Sequence, residues 1–224
     1  KESLSGPDLK PLPSWAILNC QPIPNWCPVE HDGKTHVVYR AMATKDPLQE
    51  GPEHFSTVGY AASEDGEHFT DRRQLIVPEE PWEKYGCEDP RIVRFNGTYY
   101  IFYTAISEFP HTPDGIRAAV AKSSDCKTID TKNLVTPFNA KAMTLFPEEI
   151  NGKMTAILSV DAHTNDSKMV IAQFDSEDDM FDEKWWNSWY ENVEEHRIDP
   201  RRFPSRRTCP RLCRSPRHQR ARTP

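Results

Sequence analysis

The residues best suited to chemistry are two adjacent carboxylates in the segment Glu88-Asp89-Pro90-Arg91. Pro90 fixes its own φ and pushes Asp89 toward extended backbone, so few directions remain open to the Asp89 side chain. Arg91 is close enough in sequence to pair with either carboxylate. The segment predicts either a site for acid–base chemistry or an acidic loop with a surface ion pair.

A strand signal follows this segment. The pair Asn96-Gly97 is typical of a hairpin turn, and residues 98–103 are all β-branched or aromatic. The same order of turn glycine and strand occurs at Gly33 and Gly152, which lie 64 residues before and 55 residues after Gly97. We expect equivalent strands at 34–41, 98–105 and 153–160.

A second element alternates with the first. Segments 59–69, 118–126 and 170–179 each read as a strand of small residues that closes in a Ser/Asp turn. Two alternating hairpin signals at this spacing indicate an array of small antiparallel sheets, and a β-propeller buries such sheets against each other. The predicted fold class is all-β, a β-propeller. Three repeats are visible, whereas a closed propeller typically has four to eight blades, so we expect an incomplete propeller of about three to four blades.

We divide the chain into three segments. Residues 1–24 contain five prolines and predict an extended lead-in with a short strand at Trp15–Leu18, and residues 25–196 form the partial propeller. Within it, the aromatic segment 183–195 predicts a loop or short helix. Residues 197–224 are rich in Arg and Pro and predict disorder. This tail is either a functional basic segment or the out-of-frame end of a longer coding sequence; we favour the second, because the repeat stops before a ring closes.

The charge distribution bears on partners. Residues 197–224 hold ten arginines and one acidic residue, a charge of +9, whereas residues 1–196 carry 18 basic and 33 acidic residues, a charge of -15. A segment as acidic as residues 1–196 repels nucleic acid and anionic membranes. Neutral molecules such as sugars are not excluded as ligands. The sequence contains no apolar run of about 18 residues, so it predicts no membrane-spanning helix. The six cysteines lack metal or disulfide spacing, which favours a cytoplasmic protein, although an export signal could precede Lys1. An oligomer remains possible.

Four motifs in register resemble glycoside hydrolase family 130. They are the segment 88–91 with its strand, the strand end Tyr39-Arg40-Ala41, the turn at residues 63–66, and the stretch 145–153. The resemblance spans residues 10–195. It implies a five-bladed β-propeller that cleaves β-mannosides with inversion, by phosphorolysis or less often by hydrolysis.

The resemblance also implies roles for single residues. Asp89 would be the general acid that protonates the glycosidic oxygen, directly or through a sugar hydroxyl. Arg40 resembles the family's sugar-binding arginine, and Asn25 stands where the family has an asparagine, although Trp26 and not proline follows it. The remaining candidates for substrate contacts are Glu88, Arg91, Tyr103 and His163.

The nucleophile that attacks the sugar is either phosphate or water. Phosphorylases of this family hold phosphate with a cluster of cations, and Arg117 and Lys141 fall near two expected positions. The family's His-Arg pair after the third strand is missing, since Ser159-Val160-Asp161 stand there, and Glu108 stands near where an arginine is expected. A hydrolase needs instead a carboxylate base that holds a water, for which Asp161 is a candidate with His163 as a helper.

We therefore expect a carbohydrate-active enzyme that takes an oligosaccharide substrate, with inorganic phosphate as a possible co-substrate and with no metal or organic cofactor. Two alternatives stay open. A sugar-binding propeller without a nucleophile site would have the same acidic and aromatic rim. A fragment that lacks its last blades would fold poorly and be inactive.

Overall fold

The computed structural model describes residues 25–44, 51 and 54–198. This part of the chain is all-β apart from short helices near its end, as expected. Helix α1 spans Glu177–Phe181 and α2 spans Glu183–Glu191, and 3₁₀ turns occur at Pro81–Glu83, Pro113–Gly115 and Val193–His196. The strands are β1 (Trp26–His31), β2 (Lys34–Thr44), β3 (His54–Ser63), β4 (Thr70–Ile76), β5 (Gly86–Phe95), β6 (Thr98–Ile106), β7 (Ile116–Ser123), β8 (Thr131–Leu134), β9 (Ala140–Leu145), β10 (Met154–Val160) and β11 (Lys168–Phe174).

The strands form three antiparallel meanders. The first is β1–β4, the second is β5–β8 and the third is β9–β11, and within each meander consecutive strands are paired. A single parallel bridge between Ser56 and Gly86 joins the first two meanders. The three strands predicted to be equivalent are β2, β6 and β10, each the second strand of its meander, so the predicted repeat is confirmed.

Hairpin turns with left-handed backbone connect the first and second strands of each meander. Asp32 and Gly33 have φ of 50° and 71°, and Asn96 and Gly97 have φ of 47° and 86°. Asn151 and Gly152 repeat this geometry. Positive φ at both central residues is the type I′ turn, whose twist matches that of the flanking strands. The Asn-Gly and Asp-Gly pairs therefore fix where β2, β6 and β10 begin.

A second turn repeats after the third strand of the first two meanders. Asp65 Oδ1 accepts hydrogen bonds from the Ser63 hydroxyl and from two following backbone N–H groups. Asp125 Oδ1 does the same with Ser123 and its own following N–H groups. These bonds hold the pKa of Asp125 at about 2, against the opposing effect of its burial. In the third meander helix α1 follows instead, capped by Asp179, whose carboxylate accepts from the Ser176 N–H.

Two cores share strand β6, which is buried on both faces. On one face Ile101 packs with Val58 and Ile76, between the first and second meanders. On the other face Phe102 packs with Leu158 and Trp186, between the second meander, the third meander and the two helices. The predicted aromatic segment forms helix α2, whose rings complete this second core.

The boundaries of the predicted segments are only partly covered. The lead-in at 1–24 with its strand Trp15–Leu18, and residues 199–224 of the tail, lie outside the described residues. Arg197 pairs with Val170 of β11, and the N–H of Ile198 donates to the Met169 carbonyl at 2.9 Å. Arg197 and Ile198 are thus paired with β11. Within the described residues, no helix has the length and apolar character needed to cross a membrane.

Candidate active site

A β-bulge at the start of β5 directs Asp89. The β5–β6 register shifts between Glu88 and Arg91, so Asp89 and Pro90 together face one β6 residue, Tyr103. Asp89 is not extended, as its place before proline predicted, but left-handed with φ of 50°. A bulge changes where a side chain points and leaves an N–H unpaired, which is why proline is tolerated there.

One oxygen of the Asp89 carboxylate is held by two side chains from the first meander. Asn25 Nδ2 donates a hydrogen bond to Asp89 Oδ1 at 2.6 Å, and Arg40 Nη1 lies 3.6 Å from the same oxygen. Among the described residues, no side chain or backbone group donates to Oδ2. The side chain is partly exposed, so Oδ2 is the oxygen available to a ligand.

Arg40 organises the rest of the cluster. Its Nη2 donates to Glu88 Oε1 at 2.5 Å, and its Nε donates to the Ser56 hydroxyl at 3.0 Å. The Ser56 hydroxyl in turn donates to Glu88 Oε1 at 3.0 Å. This closed set fixes the planar guanidinium between two carboxylates, as the geometry of arginine favours.

A buried network lies on the other side of the bulge. Glu83 is fully buried, and its carboxylate accepts from Lys132 Nζ at 2.5 Å and from the Tyr103 hydroxyl at 2.6 Å. Burial and the neighbouring Glu83 charge raise the pKa of Tyr103 above its ordinary value, so its hydroxyl stays protonated as a donor. Tyr103 is 3% exposed and packs in the core between the first two meanders.

The predicted phosphate-binding residues lie near the starts of two strands. Arg117 is the second residue of β7, is partly exposed and has no charged partner among residues 25–44, 51 and 54–198. Lys141 is the second residue of β9, and its Nζ lies 3.1 Å from His163 Nε2. The Asn139 amide donates to the Pro113 carbonyl, which joins the start of β9 to the turn before β7.

Asp161 lies at the end of β10 with both carboxylate oxygens engaged. Lys168 Nζ donates to Oδ2 at 2.9 Å, and the Tyr190 hydroxyl donates to Oδ1 at 2.5 Å. Burial, together with its Asp161 acceptor, raises the pKa of Tyr190 to about 12. Hydrogen bonds to Asp166 and Asp161 hold the pKa of Lys168 above its ordinary value, against the effect of burial. Asp161 thus ties β10 to β11 and α2.

The structure brings together four of the predicted site residues: Asn25, Arg40, Glu88 and Asp89. It does not pair Arg91 with either carboxylate, because the bulge leaves Arg91 exposed beyond it and Arg40 takes that place. It does not bring Tyr103 to this cluster either, since the Tyr103 hydroxyl points at Glu83 in the core.

Two residues of this region were missed from the sequence. Ser56 contacts both Arg40 and Glu88, and nothing in its local sequence signals that role. Glu83 stands in an acidic segment with Glu79 and Glu80, where the composition suggests solvent exposure. The sequence feature that could have indicated a turn here is Pro81, two residues before Glu83, because proline is favoured at the first position of a helical turn.

The arrangement suits proton transfer to a neutral, hydroxyl-rich ligand. Asp89 offers one open oxygen, while Arg40 and Asn25 supply fixed donors beside it. The described part of the chain holds no group of three or more His, Cys, Asp or Glu side chains placed to bind a metal ion. Fold and site together define an all-β protein with a carboxyl group that fixed donors hold at one oxygen, a geometry suited to acid–base chemistry.

Residues 31–198 match the family model described as beta-1,4-mannooligosaccharide phosphorylase. The chain therefore belongs to glycoside hydrolase family 130. Its resemblance to that family, seen first in four sequence motifs, is confirmed.

Individual relatives agree with this assignment. The chain is 33% identical over 130 residues to a 1,2-beta-oligomannan phosphorylase of Thermoanaerobacter sp. (strain X514), covering 58% of this chain and 43% of the relative. It is 33% identical over 123 residues to a beta-1,2-mannobiose phosphorylase of Listeria innocua, covering 53% of this chain and 33% of the relative. The chain thus spans less than half the length of these two relatives.

A solved structure is similar at 27% identity with a TM-score of 0.52, covering 68% of this chain and 46% of the other. It is described in connection with a family of mannoside phosphorylases that contains glycoside hydrolases targeting beta-1,2 mannosidic linkages in Candida mannan. The family therefore includes both phosphorylases and hydrolases.

Proposed function

We propose that this protein acts in the cleavage of β-mannosidic bonds of oligosaccharides, with inversion, and that Asp89 is the general acid. The observation that carries the proposal is the cluster in which Asn25 and Arg40 hold Asp89 Oδ1 while Oδ2 stays open. The names of the curated relatives supply the β-mannoside as substrate class.

In the proposed reaction a mannosyl unit lies against Arg40 and Asn25. Asp89 gives its proton to the glycosidic oxygen, directly or through a sugar hydroxyl, as the bond from that oxygen to the anomeric carbon breaks. The nucleophile attacks the anomeric carbon from the opposite face, which inverts its configuration. Glu88 holds Arg40 in place by accepting hydrogen bonds from Arg40 and from Ser56.

Inorganic phosphate is the nucleophile that we favour. Arg117 has no carboxylate partner within the described residues. The Asn139–Pro113 hydrogen bond joins the segment before Arg117 to the segment before Lys141, whose ammonium lies against the His163 ring. Two cations on segments joined in this way suit a multiply charged anion. The products would be a sugar 1-phosphate and a shortened oligosaccharide.

Hydrolysis is the second candidate, and the missing His-Arg pair after β10 favours it. The proposed base of that reaction would be Asp161. Lys168 and Tyr190 occupy both of its oxygens, so this residue would have to release a partner before it could orient a water. That cost makes phosphorolysis the better supported reading.

We further propose that the three meanders are blades of a five-bladed β-propeller with the site at its axis. Asn25, Asp89 and Lys141 support this arrangement, because Asn25 immediately precedes the first strand of its meander and the other two lie in the N-terminal half of theirs. The free thiols of Cys27, Cys87 and Cys126 fit a reducing compartment such as the cytoplasm.

Replacing Asp89 tests the proposal. Asp89→Asn keeps the size of the side chain but removes the proton donor, so turnover of a β-mannooligosaccharide should fall about 10²–10⁴-fold with the fold retained. The exposed Asp130→Asn is the matched control, because it makes the same change of charge away from the site. Products analysed with and without phosphate identify the nucleophile, since a sugar 1-phosphate forms only by phosphorolysis.

Three outcomes would count against parts of this reading. Full activity of Asp89→Asn would remove Asp89 as the acid. Turnover that ignores phosphate would make the reaction hydrolysis. Binding of oligosaccharide without any turnover in the complete protein would favour the non-catalytic alternative.

A further inference from the structure

Glu83 is a fully buried carboxylate that takes no part in the proposed chemistry. It ends the 3₁₀ turn Pro81–Glu83, three residues before β5 begins. A buried charge is costly unless it is paired and hydrogen-bonded. The contacts of Glu83 show which parts of the chain it joins.

Both carboxylate oxygens of Glu83 accept hydrogen bonds. Oε1 accepts from Lys132 Nζ at 2.5 Å and from the backbone N–H of Glu79 and of Glu80 at 3.0 and 3.3 Å. Oε2 accepts from the Tyr103 hydroxyl at 2.6 Å. The carboxylate thus binds the segment before β5 to both β6 and β8, and solvent does not reach it.

Tyr103 stands opposite the bulge. The register shift leaves it as the one β6 residue that faces the pair Asp89-Pro90. The left-handed backbone of Asp89 is unfavourable for a residue with a β-carbon, so it persists only where its surroundings hold it. The Tyr103 ring fills the core behind the bulge, and Glu83 fixes the far end of that ring.

We infer that Glu83 and Tyr103 are positioning residues that hold the β5 bulge in the shape that directs Asp89 at the substrate. Neither side chain contacts substrate, because Glu83 is 0% and Tyr103 is 3% exposed. This inference rests on the proposed function of Asp89. It replaces the direct substrate contact that the sequence suggested for Tyr103.

Tyrosine-to-phenylalanine variants at two positions of β6 test the inference. Tyr103→Phe removes the hydroxyl that Glu83 binds and keeps the ring. Tyr99→Phe is the matched control: it is buried on the same face of β6, and its hydroxyl bonds His31 Nδ1 at 2.7 Å, far from the bulge. Each variant should lose about 2–4 °C in Tm, as the loss of one buried hydrogen bond costs.

Kinetics separate the two variants. In the complete protein, Tyr103→Phe should lower kcat for a β-mannooligosaccharide about ten-fold with little change in KM, because a misdirected acid slows proton transfer and not binding. Tyr99→Phe should keep kcat within about two-fold. With an aryl β-mannoside whose nitrophenolate leaves without a proton, the loss in Tyr103→Phe should shrink to less than about two-fold.

Equal kcat values for Tyr103→Phe and Tyr99→Phe would overturn the inference, as would a loss that is the same for both substrates. Should Tyr103→Phe fail to fold, Glu83→Gln keeps an oxygen acceptor and gives the same comparison, and an unchanged kcat in that folded variant is equally decisive. Asp89→Asn separates this failure from that of the proposed function. If it abolishes turnover while Tyr103→Phe does not lower it, only the positioning role is wrong.

Discussion

Arg40 links the two acidic side chains of the candidate site. Its guanidinium lies 2.5 Å from a Glu88 oxygen and 3.6 Å from an Asp89 oxygen. Glu88 takes the short hydrogen bond and Asp89 the longer contact, which leaves Asp89 the freer of the two. The resemblance predicted the types of these residues, but only the structure shows that Glu88 and Ser56 both hydrogen-bond Arg40.

At the same scale, His36 is a buried imidazole with both nitrogens engaged. Nε2 lies 3.1 Å from the His31 carbonyl, so it carries the proton, and Nδ1 accepts from the Tyr60 hydroxyl at 2.6 Å. Burial is the main cause that lowers the pKa of His36 below its ordinary value of 6.5. The neutral ring is therefore the form that the fold selects.

This lowered pKa predicts how stability depends on pH. A folded pKa below the unfolded one means that the His36 contribution is complete above pH 6.5 and is lost as pH falls through the folded value. We expect Tm to fall as the pH is lowered below 6.5, and His36→Gln to flatten that part of the profile. The exposed His111→Gln is the control, and an equal flattening by both variants would contradict the assignment to His36.

At the scale of elements, the hairpins were predictable because their signals are local. An Asn-Gly or Asp-Gly pair determines a type I′ turn by its own backbone preference, whatever lies around it. The bulge was not predictable in the same way. Residues 88–91 fit an unbroken strand or a loop equally well, and the register shift depends on how β5 meets β6. For that reason the sequence did not show that Arg91 lies exposed beyond the bulge or that the Tyr103 hydroxyl bonds Glu83.

The turn between β5 and β6 gives a direct test of this local control. Gly97 has φ of 86°, and a β-carbon there would meet nothing within 4 Å. Gly97→Ala should therefore destabilise the protein by about 1 kcal/mol through backbone strain alone, measured by urea unfolding. Gly97→Asn should cost less, because asparagine tolerates left-handed backbone. Equal losses for both variants would show that the cost is not conformational.

At the scale of the whole molecule, helix α2 completes the second core. Its predicted aromatic cluster is present, and Trp186 lies fully buried with its Nε1 donating to the Met180 carbonyl at 2.9 Å. Its ring packs edge-on against Phe138 and Trp189. The sequence showed that this segment breaks the strand repeat, but not that it covers the third meander, because a packing partner leaves no local signal.

Removing the Trp186 ring should lower the free energy of unfolding. Trp186→Ala should destabilise the protein by about 3–5 kcal/mol, since a large buried ring leaves a cavity that the core cannot fill. Lys184→Ala, on an exposed position of the same helix, should change stability by less than about 0.5 kcal/mol. Chemical denaturation monitored by circular dichroism would measure both, and a small loss for Trp186→Ala would mean that α2 is not part of the cooperative core.

The candidate site is divided between the first two meanders, and this has a thermodynamic consequence. Asn25 and Arg40 lie on the side of one meander, Glu88 and Asp89 in the next, and within the described residues one parallel bridge pairs the backbones of these two meanders. A ligand held by both sets of side chains binds only while the two meanders are together. Binding therefore adds to the free energy that resists their separation, so the ligand acts as a clamp between them.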